Sequence, residues 1–200
     1  MARLIIVRHG NTFDKGDTVT RVGGRTDLPL SSSGLAQADA LAAHFSDTRF
    51  VAAFCSPLAR TRQTARAMIG MRTKSPALIV LPFLTEVDYG PDENQLEDKV
   101  VARIGEAALE AWERDATPPD GWLVNPDALR KGWRELLSRA AGLGSGDTAL
   151  IVTSNGIARF LPDVVDAQPD QLDRKLKTGA WGVVDITPDG SRITEWNCRP

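Results

Sequence analysis

The sequence predicts an α/β protein: a three-layer α/β/α sandwich with a mostly parallel central sheet and a C-terminal β-hairpin. Three observations carry this reading. Short apolar, β-branched runs recur along the chain at Leu4–Val7, Phe50–Cys55, Leu78–Leu81 and Thr148–Thr153. Longer segments with small and apolar residues at helical spacing lie between them, and such alternation builds a layered sheet. Finally, Trp181–Thr187 and Ser191–Trp196 flank Pro188-Asp189-Gly190, a turn between two strand-like runs. At 200 residues the chain is expected to form a single domain, 1–200, large enough to bury a substantial core.

Each element has its own local cause. Leu4-Ile5-Ile6-Val7 is short and apolar throughout, as a strand buried on both faces should be. Ser31-Ser32-Ser33-Gly34 offers a serine cap to a helix over 35–45. After the second strand, Ser56-Pro57 opens a helix over 58–69, with proline near the first helical position, where its missing N–H costs little. The middle, from Asn94 to Gly142, reads as helical apart from the loop Thr117-Pro118-Pro119-Asp120-Gly121. A short helix over 156–161 follows the fourth strand. Gly142-Leu143-Gly144-Ser145-Gly146 precedes that strand instead of following one, so it reads as a turn and not as a phosphate-binding loop.

Composition narrows the function classes. The chain carries 24 basic and 26 acidic residues, a formal net charge of −2, which gives no sign of a nucleic-acid-binding surface. No apolar stretch approaches the length of a membrane span. The N-terminal residues enter a strand-like run without a signal-peptide pattern. The two cysteines, Cys55 and Cys198, have no zinc-type spacing. Reduced thiols and a cytoplasmic location are the resulting expectations.

In open α/β sheets, ligands bind beyond the carboxyl ends of the strands. Arg8, His9 and Asn11 follow the first strand candidate, Ser56 to Arg60 the second, Thr85-Glu86 the third, and Ser154-Asn155-Gly156 the fourth. This inventory suits phosphoryl transfer. Two guanidinium groups grip phosphate oxygens and offset transition-state charge. They also hold His9 in its neutral, nucleophilic form. A carboxyl group at Glu86 can protonate a leaving alkoxide and then deprotonate water. The chain has two histidines, and the other, His44, lies within a helix pattern, where packing is the simpler role.

These residues carry a family resemblance. Arg8-His9-Gly10-Asn11-Thr12 matches the RHGxT signature of the histidine phosphatase superfamily, also called phosphoglycerate mutase-like. The segments Thr26 to Ala38, Ser56 to Ala65 and Leu84 to Gly90 resemble the family's next three motifs in the same order. The resemblance implies that His9 is the phosphorylated nucleophile, Arg8 and Arg60 the phosphate clamps, and Glu86 the acid/base. No metal or other cofactor is implied. Gly10, Asn11 and Thr12 are expected beside the substrate. Lys15, Arg21 and Arg25, in the following loop, are candidates for a second anionic group.

One departure stands out. Where the family pattern has a second catalytic histidine, this chain has Ile151-Val152-Thr153-Ser154-Asn155-Gly156. Asn155 can donate a neutral hydrogen bond but no positive charge, or it can cap the following helix. The expected activity is a metal-independent phosphatase acting on a small phosphorylated metabolite through phospho-His9. An attenuated phosphate-binding pseudoenzyme with a regulatory role and a phosphomutase are the alternatives. Gly90 to Asn94 and Trp122 to Pro126 also depart from the family pattern, so substrate identity is left open.

Overall fold

The computed structural model describes residues 1–70 and 75–200. In chain order, strand β1 (Ala2–Arg8) leads to helix α1 (Ser32–His44), β2 (Phe50–Cys55), α2 (Ala59–Ile69) and β3 (Leu78–Val80). Three helices follow, α3 (Glu97–Ile104), α4 (Glu106–Asp115) and α5 (Pro126–Ala141). The chain then returns through β4 (Thr148–Thr153) and α6 (Asn155–Ala158) to the hairpin β5 (Trp181–Thr187) and β6 (Gly190–Cys198). One six-stranded sheet has the order β3-β2-β4-β1-β5-β6. The pairs β3/β2, β2/β4 and β4/β1 are parallel, whereas β1/β5 and β5/β6 are antiparallel. This is the expected α/β architecture.

Alternation along β1 explains the layers. Leu4 and Ile6 join one buried cluster with residues of α5, α6 and β5, while Ile5 and Val7 join a second with Leu41 of α1 and Ala65 and Met68 of α2. Both faces of the central strand are therefore dry, which accounts for its unbroken apolar sequence.

Some boundaries differ from the sequence reading. Leu58, not Pro57, precedes the first residue of α2, so the proline lies outside the helix. It makes the chain extended at the entry but does not occupy the first turn. β3 closes at Val80, and α6 holds only four residues before a 3-10 turn at Leu161–Asp163. Ser31 does cap α1, its Oγ accepting from the Gly34 N–H at 3.2 Å. Cys55 and Cys198 are free thiols, and burial pushes the Cys55 thiol up to about 11.

Register sets the site. Arg8 pairs with Thr153 and Cys55 with Val152, so β1, β4 and β2 end at one level. Their succeeding residues emerge at a single sheet edge. The loop after β1 then passes under the start of α1 with no space to spare. A Cβ on Gly34 would lie 2.0 Å from the Asn11 carbonyl oxygen, and one on Gly10 would lie 2.4 Å from the Gly34 oxygen. Alanine at position 34 gains up to about 1 kcal/mol of helix propensity, against about 1–3 kcal/mol for forcing extra volume into a packed contact. Gly34→Ala is thus expected to lower the unfolding free energy in urea melts, and an unchanged or raised midpoint would contradict the close approach.

Candidate active site

His9 follows the last residue of β1 and is 6% exposed. Its backbone N–H still bonds to Thr153 O at 3.1 Å, which extends the ladder by one residue and aims the ring beyond the sheet. Nδ1 lies 2.7 Å from Gly10 O, and the Arg60 Nε–H donates to Nε2 at 3.2 Å. A carbonyl oxygen only accepts and a guanidinium only donates. Nδ1 therefore carries the proton and Nε2 is bare. Burial, followed by the charges of Arg60 and Arg8, holds the imidazole pKa well below its usual value, outweighing the opposite pull of Gly10 O.

Arg60 comes from the first turn of α2 and is 1% exposed. Its Nη1 and Nη2 donate to Thr26 O at 2.8 Å and Gly23 O at 3.1 Å. The loop after β1 thus supplies the acceptors that let a guanidinium be buried against the histidine. Arg8 sends Nη1 to Leu176 O at 3.0 Å and keeps a buried Nε without a partner.

Glu86 reaches the same place from the segment after β3. That segment is tied to the end of β4, because the Thr153 Oγ1–H donates to Leu84 O at 2.9 Å. The Glu86 carboxylate is 7% exposed and accepts from the N–H groups of Val87 (2.9 Å) and Gly156 (3.3 Å). A Cβ at position 156 would sit 2.1 Å from Glu86 Oε1, so only glycine leaves room for the carboxylate there. Asn155 Oδ1 accepts from the Leu176 N–H at 2.9 Å. Since that N–H can only donate, the amide nitrogen Nδ2 points the other way and has no partner among the described residues. Asn155 is the first residue of α6, and its side chain bonds the Leu176 segment instead of capping the helix.

Arg8, His9, Arg60, Glu86 and Asn155 all line one cleft of about 450 Å³, within the range of small-molecule sites. Asn11 and Thr12 line it too. The Asn11 side chain, however, is taken up by Ser33 Oγ at 3.2 Å, and Gly10 contributes through its backbone and close packing on α1. The three loop cations separate. Arg21 lies in the cleft, paired with Glu97 and stacked over the rings of Tyr89 and Trp122 at 5.2 and 5.0 Å. Arg25 is exposed and turned to Asp88 Oδ1 at 2.9 Å and Gly90 O at 2.6 Å. Lys15 is exposed and outside the cleft.

The cleft contains further residues that sequence patterns left unassigned. Tyr89, three residues after Glu86, is buried, and burial together with the Glu86 charge pushes its phenol up, so it stays a neutral donor. Trp112 forms part of the wall with Glu113. Arg159 and Lys175 complete the basic side. The spacing of Arg159, one helical turn beyond Asn155, was the available signal. No group of three or more His, Cys, Asp or Glu side chains placed to hold a metal ion occurs among the described residues. None of the described helices is long and apolar enough to cross a membrane.

Comparison with known proteins places this geometry. The family model of the histidine phosphatase superfamily, branch 1, matches residues 4–199. The chain is 27% identical over 178 residues to a 2,3-bisphosphoglycerate-dependent phosphoglycerate mutase 2 of Gloeobacter violaceus, covering 87% of this chain and 80% of the relative. It is 26% identical over 202 residues to the adenosylcobalamin/alpha-ribazole phosphatase of Salmonella typhi, covering 98% and 96%. Among solved structures, a mycobacterial glucosyl-3-phosphoglycerate phosphatase superposes with a TM-score of 0.79 at 20% identity, covering 99% of each chain. With its motifs and its fold in agreement, the chain belongs to the histidine phosphatase superfamily, branch 1.

Proposed function

We propose that this protein is a metal-independent phosphatase that hydrolyses a small phosphate monoester through a phosphohistidine on His9. The single observation that carries the reading is the state of His9. It is a buried, neutral imidazole whose bare Nε2 faces the cleft between two arginines, with a carboxylate alongside. Relatives named as phosphatases and as mutases both support phosphoryl chemistry at such a centre. Hydrolysis is favoured over mutase action because polar side chains line the cleft around His9 and Glu86 and can lead water to phosphorus.

In the proposed cycle the substrate phosphoryl group displaces Arg60 Nε from His9 Nε2. Nε2 attacks phosphorus, and the ester P–O bond breaks as the Glu86 carboxyl group, acting as general acid, delivers a proton to the leaving oxygen. Arg8, Arg60 and the Asn155 amide donate to the equatorial oxygens, while Gly10 O steadies the charge that develops on the ring through Nδ1–H. Glu86, now a carboxylate, takes a proton from water, whose oxygen attacks phosphorus. The P–N bond breaks, its electron pair returns to Nε2, and inorganic phosphate leaves.

Wild-type protein quenched in alkaline denaturant after exposure to substrate should carry acid-labile, alkali-stable phosphate that maps to His9, and His9→Ala should carry none and hydrolyse nothing above background. Equal, background hydrolysis by both proteins across a panel of phosphate esters would sink the reading. Asn155 is tested by two replacements. N155D keeps the acceptor for Leu176 but exchanges the donor for a negative charge, and N155A removes both. Both should lower kcat, N155A by about 10²–10³ as for a lost oxyanion donor. A wild-type kcat in N155D would mean that Asn155 only holds the Leu176 segment, and turnover-free phosphate binding by the wild type would favour the pseudoenzyme alternative.

The depressed His9 pKa sets a pH dependence. In the unfolded chain the imidazole titrates near about 6.5, but in the folded state it takes up its proton only at lower pH. Between those values the unfolded state binds the extra proton, so the stability contributed by neutral His9 is present above about 6.5 and is lost as pH falls. Urea melts of wild type and His9→Gln should therefore converge on acidification. A constant difference between pH 7.5 and 5 would contradict a depressed pKa.

A further inference from the structure

Among the described residues, six buried side-chain polar atoms lack a hydrogen-bond partner, and three are the Nε atoms of Arg8, Arg21 and Arg159. All three arginines line the cleft. Buried donors are rarely left unmet in a finished structure, and donors unmet around one cavity point to a ligand. Arg8 belongs to the grip on the scissile phosphate, and Arg21 is paired with Glu97. Arg159 has neither role. It is 2% exposed, and its guanidinium lies 4.2 Å from the Trp112 ring centroid. Nη1 donates to Trp112 O, Nε is unpartnered, and Nη2 makes no hydrogen bond to the described residues.

Counting charges separates this arginine from the others. The cleft is lined by five cations and three carboxylates. Arg21 pairs with Glu97, and Lys175 with Glu113 at 3.0 Å. Arg8, Arg60 and Arg159 are left, facing only Glu86. Arg8 and Arg60 take up the scissile phosphate in the proposed cycle, so Arg159 alone is left without an assigned anion. Arg159 also has supports of its own. It begins one turn beyond Asn155, its N–H bonding to Asn155 O at 3.2 Å, and is pinned to α4 through Trp112, whereas Arg60 approaches His9 from α2. A guanidinium pre-oriented by stacking and one carbonyl bond presents its remaining donors to an anion at little entropic cost.

We propose that Arg159 forms a second anion subsite, which selects phosphate esters carrying a further carboxylate or phosphate a few bonds from the scissile group. Catalytic use of the subsite rests on the phosphatase reading above; binding to it does not. Lys175, at the rim in an exposed pair with Glu113, is the neighbouring cation best placed to assist.

Two substrate pairs test this, each differing in the extra anion: 3-phosphoglycerate against glycerol 1-phosphate, and fructose 1,6-bisphosphate against fructose 6-phosphate. Wild type should favour the more anionic member of at least one pair by about tenfold or more in kcat/KM, the worth of one charge-assisted contact. The responding pair identifies carboxylate or phosphate. R159M should erase that preference chiefly through KM, and R159K, which keeps the cation and the stem but loses the fork, should retain part of it. Should R159M fail to fold, R159K carries the test alone. Equal effects on both members of each pair, or a loss confined to kcat, would place Arg159 on the transferring phosphoryl group and overturn the proposal. A calorimetric arm needs no turnover: in the H9A background, R159M should weaken 3-phosphoglycerate or fructose 1,6-bisphosphate binding about tenfold, and R159K by less, while inorganic phosphate binding changes little. If wild type hydrolyses no ester, the phosphatase reading falls, and this titration still decides the subsite; equal weakening of all three ligands would overturn it.

Discussion

The site depends on the burial of one guanidinium. Arg60 can lie 1% exposed only because each face of its fork meets an acceptor: Thr26 O, Gly23 O and His9 Nε2. An isolated cation in that position would carry a large desolvation penalty. Those three bonds also tie together the residue after β1, α2 and the long loop between β1 and α1. The loop is in turn fixed to the segment after β3. Glu93 Oε1 accepts from the N–H groups of Gly23 and Arg25 and from Thr26 Oγ1, and the Gly24 N–H donates to Val87 O. Arg60 is thus buried in a frame that also holds Glu86, and the proposed nucleophile, clamp and acid/base share one set of supports.

Because the same guanidinium donates to the nucleophilic nitrogen, its effect on His9 is electrostatic as well as structural. A positive charge at hydrogen-bond distance excludes the protonated imidazole, and burial works in the same direction. The carbonyl of Gly10 on Nδ1 acts oppositely but weakly, and it fixes the tautomer. In the proposed reaction the nucleophile is kept ready by groups that also fit a phosphate dianion, so substrate binding would require exchange of partners and no large rearrangement.

Much of this was legible in the sequence, and the failures have physical reasons. The apolar runs of β1, β2 and β4 could be read because strands buried on both faces need continuous hydrophobicity, and their shared end level followed from parallel pairing. His9, Arg60 and Glu86 could be placed because each follows a strand within a few residues. Arg25 and Lys15 could not be told apart from Arg21 by spacing. The difference lies in tertiary partners: Asp88 and the Gly90 carbonyl draw Arg25 outward, whereas Tyr89, Trp122 and Glu97 hold Arg21 in the cleft. Arg159 and Trp112 were missed for the same reason. Their relation spans α4 and α6, and no local pattern reports a cation stacked on a ring from a distant helix.

The segment from Leu176 to Ala180 makes the chemistry at position 155 intelligible. Arg8 and Asn155 hold the two sides of one peptide residue, Leu176, by its carbonyl and its N–H respectively. The Gly179 N–H is shared between the carbonyls of Arg8 and His9, and the Arg8 N–H donates to Ala180 O. This strap is therefore built on the active-site residues themselves, and it brings Lys175 and Thr178 to the cleft. A side chain at position 155 must accept from Leu176 on one side while donating toward the cleft on the other. A primary amide does both at once. A doubly protonated imidazole has only donors and would leave the Leu176 N–H without its acceptor. The strap thus requires a neutral group at position 155, one that accepts from the Leu176 N–H.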